Sequence, residues 1–518
     1  MVRADVTWTM ALADAACYDF LEPVAARAVD AVFERCPEAV ALVAGDACTD
    51  MRRLCLARLG VIYERPLVAQ AVRMAGLVGS LALGLGGETR SAAMLDIARG
   101  VRDEAMADMG ASLRARMPLA LGYERAVVDN FSAAMAEFFD RLLRGRDEVS
   151  RVLLDGRPIT RLVGFSSSGA DPHRHGRMVM CVNTDAGSFF YKPHDCKLDA
   201  LYLELVGTWF SDCVRAACLV EGEGHAFVER LVPEGLANEA ELRTYWHNLG
   251  CLTALFHSLG SRDMTHDNLM CCGTRPAVLD LETLLTAEVP FDKEMLAGEA
   301  SAWGVPADKV ASTVICTSIL PDPTSRLAVS PLIEDNASGS CLPRVCGEPH
   351  TVKGHEKSFL EGFEEGYRRI MRHRKEVLAT IARNADATCR QILLNTYAYA
   401  RSRALLFSPG AMANPVNRDE VLAGLVNSYA AFSPELRRAV AAPDALALAE
   451  GDIPYYCSHA SARTLYDGNG RAVGDFLSRS ALEVASSRIG GFSEEDLCFE
   501  LDLIRRLLTT DKSSGGKP

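Results

Sequence analysis

The sequence predicts an α+β protein with a kinase-like, bilobal core and additional helical elements at both ends. Ala, Leu, Met and Arg recur at helical spacing from the start of the chain to about residue 150. From about residue 158 the texture changes to short β-rich runs, the last of which ends on Lys192 ahead of a helical pattern. Further on, Asp263 and Asn268 share one loop, and Asp280 stands at the end of an apolar run. A kinase lays out its chemistry in this way, with one Asp accepting a hydroxyl proton while an Asn and a later Asp hold Mg²⁺.

Bulk properties narrow the classes further. At 518 residues the chain exceeds one ordinary hydrophobic core, so two or three packed subdomains are expected. A net charge of -13 and a pI near 5.4 argue against broad nucleic-acid binding, which rests on clustered Lys and Arg. An acidic surface suits a cationic peptide, although keeping the protein soluble is the simpler use of that charge. The 17 cysteines are scattered and form no CxxC, which predicts buried free thiols and no structural zinc. Acidic residues interrupt the N-terminus where a signal core would lie, and apolar runs such as Leu77 to Leu85 are broken by Gly and Ser. The expected location is the cytoplasm, without a membrane span.

Residues 1–150 are read as a helical N-terminal region, in which Leu119 to Asp147 carries an amphipathic stripe through Leu121, Val127, Phe131, Met135, Phe138, Phe139 and Leu142. Residues 151–290 are read as the kinase-like core with its nucleotide site. There Gly164 to Ala170 is a flexible loop, Arg177 to Thr184 a strand, Asp185 to Ser188 a turn, and Phe189 to Lys192 a second strand. A helix follows from near Lys197, and another over 240–260 ends at Gly260 before the Asp263 loop. Ala277 to Leu279 is a strand delivering Asp280. Residues 291–508 are read as an activation-type loop, rich in Pro, Gly, Ser and Asp to about 355, followed by a mainly helical region in which Arg390 sits on a helix. Residues 509–518 form a polar tail.

Taken together, several segments resemble the dehydratase domain of class II (LanM-type) lanthipeptide synthetases. They are Asp171 to Gly176, Tyr191-Lys192-Pro193, Asp263 to Asn268, Pro276 to Leu284, Ser312 to Pro321, Gly362-Phe363 with Gly366-Tyr367, Arg390 to Tyr399, and Glu450 to Tyr456. The resemblance implies a lipid-kinase-like core and an enzyme using ATP and Mg²⁺ to phosphorylate Ser or Thr in a precursor peptide guided by its leader. Phosphate is then eliminated, giving dehydroalanine or dehydrobutyrine. It assigns Asp171, His173, Lys192, Asp263, Asn268 and Asp280 to phosphorylation. Lys192, Asn268 and Asp280 meet the nucleotide, and the last two hold the metal. Arg390 and Thr396 fall at the elimination positions, with Tyr399 after them.

This chain departs from the family pattern at several positions. Thr265 stands where the family has a His, and His266 follows one place later as a substitute. Ala170 replaces a Gly, and Leu394 replaces an Arg. The family's full-length members add a C-terminal zinc cyclase, whereas no Cys or His follows residue 508; the expectation is a stand-alone or truncated dehydratase, served by a separate cyclase or other modifying enzymes or yielding a product that keeps its dehydroamino acids. Two alternatives stay open. One is a peptide kinase that stops at the phosphorylated residue, favoured by Leu394, and the other is a degenerate leader-binding scaffold, favoured by Thr265.

Overall fold

The computed structural model describes residues 9–78, 87–169, 171–290, 305–306, 309–322 and 329–509. Most of the Leu77 to Leu85 run, Ala170, part of the activation-type loop and the tail from residue 510 lie outside them. The described part is a mixture of helices and antiparallel sheets, as expected of an α+β protein. Its chain forms two compact units: residues 1–193, 393–430 and 437–455 make the first, and residues 194–392, 431–436 and 456–518 the second.

The first unit begins with helices α1 (Glu22–Arg35), α2 (Gly45–Val78) and α3 (Ala120–Leu153). The predicted stripe lies on α3, where Val127, Phe131, Met135, Phe138, Phe139 and Leu142 are buried. Leu121 does not join it and is 42% exposed. Phe138 packs edge-on against Phe139, Phe165 and Tyr191, so the stripe covers one face of an antiparallel meander. Its strands are β1 (Leu162–Ser167), β2 (Met180–Thr184) and β3 (Gly187–Lys192). Residues Gly164 to Ser167, expected in a loop, thus belong to β1, where the Phe165 amide donates to Asp50 Oδ2 at 3.1 Å. The hairpin turn is also tighter than predicted. Thr184 Oγ1 accepts from the amides of Ala186 and Gly187, and Gly187 already pairs with Thr184. The chain returns at the helix Thr396–Leu406, capped by the Asn395 side chain.

In the second unit, α4 (Lys197–Trp209) precedes α5 (Glu239–Leu259). Asn238 caps the start of α5 by accepting from Ala240 and Glu241, and Gly260 ends it in the left-handed region at φ 73. The hairpin β4 (Leu269–Cys272) and β5 (Arg275–Val278) follows the Asp263 loop. Helix α6 (Glu356–Arg372) lies against α5 at backbone contact. A Cβ added at Gly362 would sit 1.8 Å from His247 O, and one at Gly250 would sit 2.1 Å from Phe359 O. The spacing of Gly362 and Gly366 is therefore a packing device that lets two helix backbones touch.

The C-terminal part of this unit is less helical than predicted. Strand β6 (Thr388–Arg390) pairs with β7 (Tyr456–His459), followed by β8 (Leu465–Asp467) and β9 (Ala472–Gly474). Arg390 accordingly stands on a strand, paired with Cys457, and not on a helix. Helices α7 (Ala481–Gly491) and α8 (Glu494–Thr509) close the unit. The 17 cysteines are free and mostly buried. Among the described residues, no helix is long and apolar enough to cross a membrane.

Candidate active site

The predicted site residues fall into two clusters. Asp171, His173, Lys192 and Thr396 belong to the first unit, and Asp263, His266, Asn268, Asp280 and Arg390 to the second.

In the first unit the Asp171 segment makes a strained turn. Arg174, His175 and Gly176 have φ of 51, 64 and 77, and the His173 and Arg177 main chains close it with bonds of 2.9 and 2.8 Å. It is tied to the Glu450–Tyr455 segment: the Ile453 amide donates to Pro172 O at 2.9 Å, and His175 Nδ1 lies 2.7 Å from Glu450 Oε2. His173 Nδ1 lies 2.8 Å from Ile453 O. A carbonyl only accepts, so Nδ1 carries a proton and the neutral ring has its lone pair on Nε2. The Glu450 to Tyr456 motif is in this way the support of the Asp171 motif. Lys192 ends β3 and is 6% exposed, so it is not the surface lysine that its place at a strand end would allow. Thr396 is the exposed first residue of its helix.

In the second unit the loop after Gly260 is laced to the segment after β5. Arg262 N donates to Thr283 O, Thr283 Oγ1 donates to Arg262 O at 2.7 Å, and Leu279 N donates to Asn268 O at 2.9 Å. These bonds bring the Asp263 loop and Asp280 together. Asp263 has φ 59, and Asn268 Nδ2 donates to its carbonyl at 2.7 Å, holding the conformation. Burial pushes the Asp263 carboxyl up to about 6, the negative charge of Asp280 adds to this, and Arg390 opposes it. His266 Nδ1 is 3.1 Å from Asp267 Oδ1, and its main chain is anchored to Val329 O and Asn336 Nδ2.

Arg390 belongs to this same cluster. Its amide donates to Glu282 O at 2.9 Å and its Nη1 lies 3.6 Å from Glu282 Oε1. The same carboxylate oxygen lies 3.7 Å from His194 Nε2. Glu282 and His194 were not picked out as site residues, although Glu282 stands two positions after Asp280 and its own amide donates to Asp280 Oδ1 at 3.0 Å. Among the described residues, no three His, Cys, Asp or Glu side chains make a ready metal cage. A Mg²⁺ site needs less, because it takes one or two carboxylates and keeps water and phosphate oxygens as its other ligands. The repulsion between Asp263 and Asp280, with an Asn beside them, fits such a cation.

Residues 123–334 and 324–459 match the family model described as a domain of unknown function, DUF4135. The chain belongs to the DUF4135 family. All the site residues above lie within the stretch that DUF4135 covers. A relative of this DUF4135 protein is the lacticin 481/lactococcin biosynthesis protein LcnDR2 of Lactococcus lactis subsp. lactis. It is 19% identical over 272 residues, which cover 44% of this chain and 29% of the relative's own length. Family and relative both support the resemblance to LanM-type dehydratases that the motifs carry.

Proposed function

We propose that the chain is a peptide dehydratase with a kinase-like core, which phosphorylates Ser or Thr of a ribosomally made precursor peptide and then eliminates phosphate. The observation that carries this reading is Arg390 fixed on Glu282 beside Asp263 and Asp280. A proton acceptor, metal-binding oxygens and a phosphate-binding guanidinium are thereby gathered in one unit. ATP, bound with Mg²⁺, supplies the phosphoryl group. As the resemblance assigns them, Asn268 and Asp280 would hold the cation, which would neutralise phosphate charge, and Lys192 would bind phosphate oxygens. Asp263 accepts the hydroxyl proton as the Ser or Thr oxygen takes up phosphate.

In elimination a base takes the Cα proton, the C–H electron pair forms the Cα=Cβ bond, and the Cβ–O bond breaks with its electrons leaving on phosphate. Arg390 holds the departing phosphate bidentately, a geometry a lysine does not offer. Asp171, His173 and Thr396 complete the machinery as the LanM resemblance assigns them. A kinase that leaves elimination to a partner lyase is the second reading, and Leu394, at a position where the family has an Arg, favours it.

The test is mass spectrometry of a candidate Ser/Thr-rich precursor peptide incubated with the protein, ATP and Mg²⁺. Loss of water at Ser and Thr is the expected result. Stable gain of phosphate would select the second reading, and an unchanged mass would reject both.

A further inference from the structure

Two arginines, a buried Arg58 and a half-buried Arg403, lie behind the Asp171–Arg177 turn, and the chemistry proposed above uses neither. Arg58, on α2, donates from Nη1 to Gly176 O at 3.2 Å and from Nη2 to Asp452 Oδ1 at 3.1 Å. The other Asp452 oxygen accepts from the Gly176 amide at 2.7 Å. Arg403, on the Thr396–Leu406 helix, donates to Gly451 O at 3.1 Å, and its Nη2 lies 3.8 Å from Asp171 Oδ1. The Arg58 and Asp452 side chains are 7% and 1% exposed, and that of Arg403 is 15% exposed. Buried charges are costly unless their partners are well placed, so each guanidinium fixes the groups around it as firmly as they fix it.

The turn needs such support. Left-handed backbone at Arg174 and His175 persists only where the surroundings over-determine it. At Gly176 a Cβ would come within 2.3 Å of Arg58 Nη1, so the turn is fitted to that guanidinium. Arg403 follows Thr396 by two helical turns (i, i+7), which puts both on one face of the helix. A rigid helix therefore joins Thr396 to the carboxylate of Asp171.

We propose that Arg403 is a positioning residue: with the Arg58–Asp452 pair, it holds Asp171 and the turn bearing His173 in register with the helix that begins at Thr396. The reaction it serves is the dehydration proposed above. Its grip on the turn does not depend on that reaction.

Arg403→Met removes the charge at similar length, and Arg403→Lys keeps the charge without the planar fork. The test follows hydrogen exchange of the full chain over residues 171–177 and, in parallel, dehydration of the precursor peptide at varied ATP. In Arg403→Met, exchange of the turn is expected to quicken about tenfold while that of the Glu239–Leu259 helix stays unchanged. The kcat for dehydration should fall about tenfold to a hundredfold with KM for ATP unaltered, and Arg403→Lys should recover part of both losses. Unchanged exchange in the turn, or an equal loss of protection throughout the chain, would overturn the proposal. If the wild-type protein does not dehydrate the peptide, the dehydratase reading fails and the exchange comparison alone decides the positioning role. If Arg403→Met does not fold, the exchange of the turn in Arg403→Lys decides instead, with no quickening counting against it.

Discussion

Asp263 combines a left-handed backbone, held by Asn268, with a carboxyl that burial, and after it the charge of Asp280, pushes up to about 6. Removing it should abolish phosphorylation and elimination together, so the precursor incubated with Asp263→Ala keeps its mass. Arg390→Ala should leave the first step running and let phosphopeptide accumulate. Dehydration at the normal rate in Arg390→Ala would refute the elimination role. The motifs could single out candidate residues because phosphoryl transfer, the chemistry proposed, demands particular donors at short spacings. Glu282 and Arg403 were not legible in this way, since each acquires its meaning from a partner far away in sequence: Arg390 in one case and Asp171 in the other. Only the i, i+7 spacing from Thr396 hinted at Arg403.

At the scale of elements, the backbone contact between α5 and α6 carries a direct consequence. Gly362→Ala forces a methyl into His247 O and is expected to destabilise the protein by about 1–3 kcal/mol, read as a shift of the denaturation midpoint. Gly424→Ala is the control. Gly424 lies inside the helix Pro415–Val426 with nothing within 4 Å of an added Cβ, so the change should stabilise by about 0.5–1 kcal/mol. Helices α3 and α5 and the β2–β3 hairpin could be read from the sequence because periodicity, caps and turn residues are local signals. Strand β6 could not. Its three residues carry no pattern of their own and become a strand only by pairing with Cys457 to His459.

Across the whole molecule, a buried acid sets a pH dependence that has nothing to do with the chemistry. Glu500 on α8 accepts from the Val314 amide at 3.1 Å and lies 3.9 Å from His257 Nε2, and burial pushes its carboxyl up to about 8. The folded protein therefore holds a proton that the unfolded chain releases near about 4.3. This contribution to stability is complete below the unfolded value and is lost as pH rises through about 8. Burial drives the neighbouring His257 well below the ordinary histidine range. Denaturation midpoints at about pH 5 and about pH 8 should differ less in Glu500→Gln than in the wild type, and an equal difference would refute the assignment. The division of the chain has a further consequence, for synthesis. Arg58 and Gly176 emerge from the ribosome long before Asp452, their common partner, and residues 194–392 are translated in between. At roughly 5–20 residues per second, the nascent first unit waits many seconds with α1, α2 and α3 made and its last segment unwritten. A stop codon anywhere before residue 452 would leave that unit without the carboxylate that closes it.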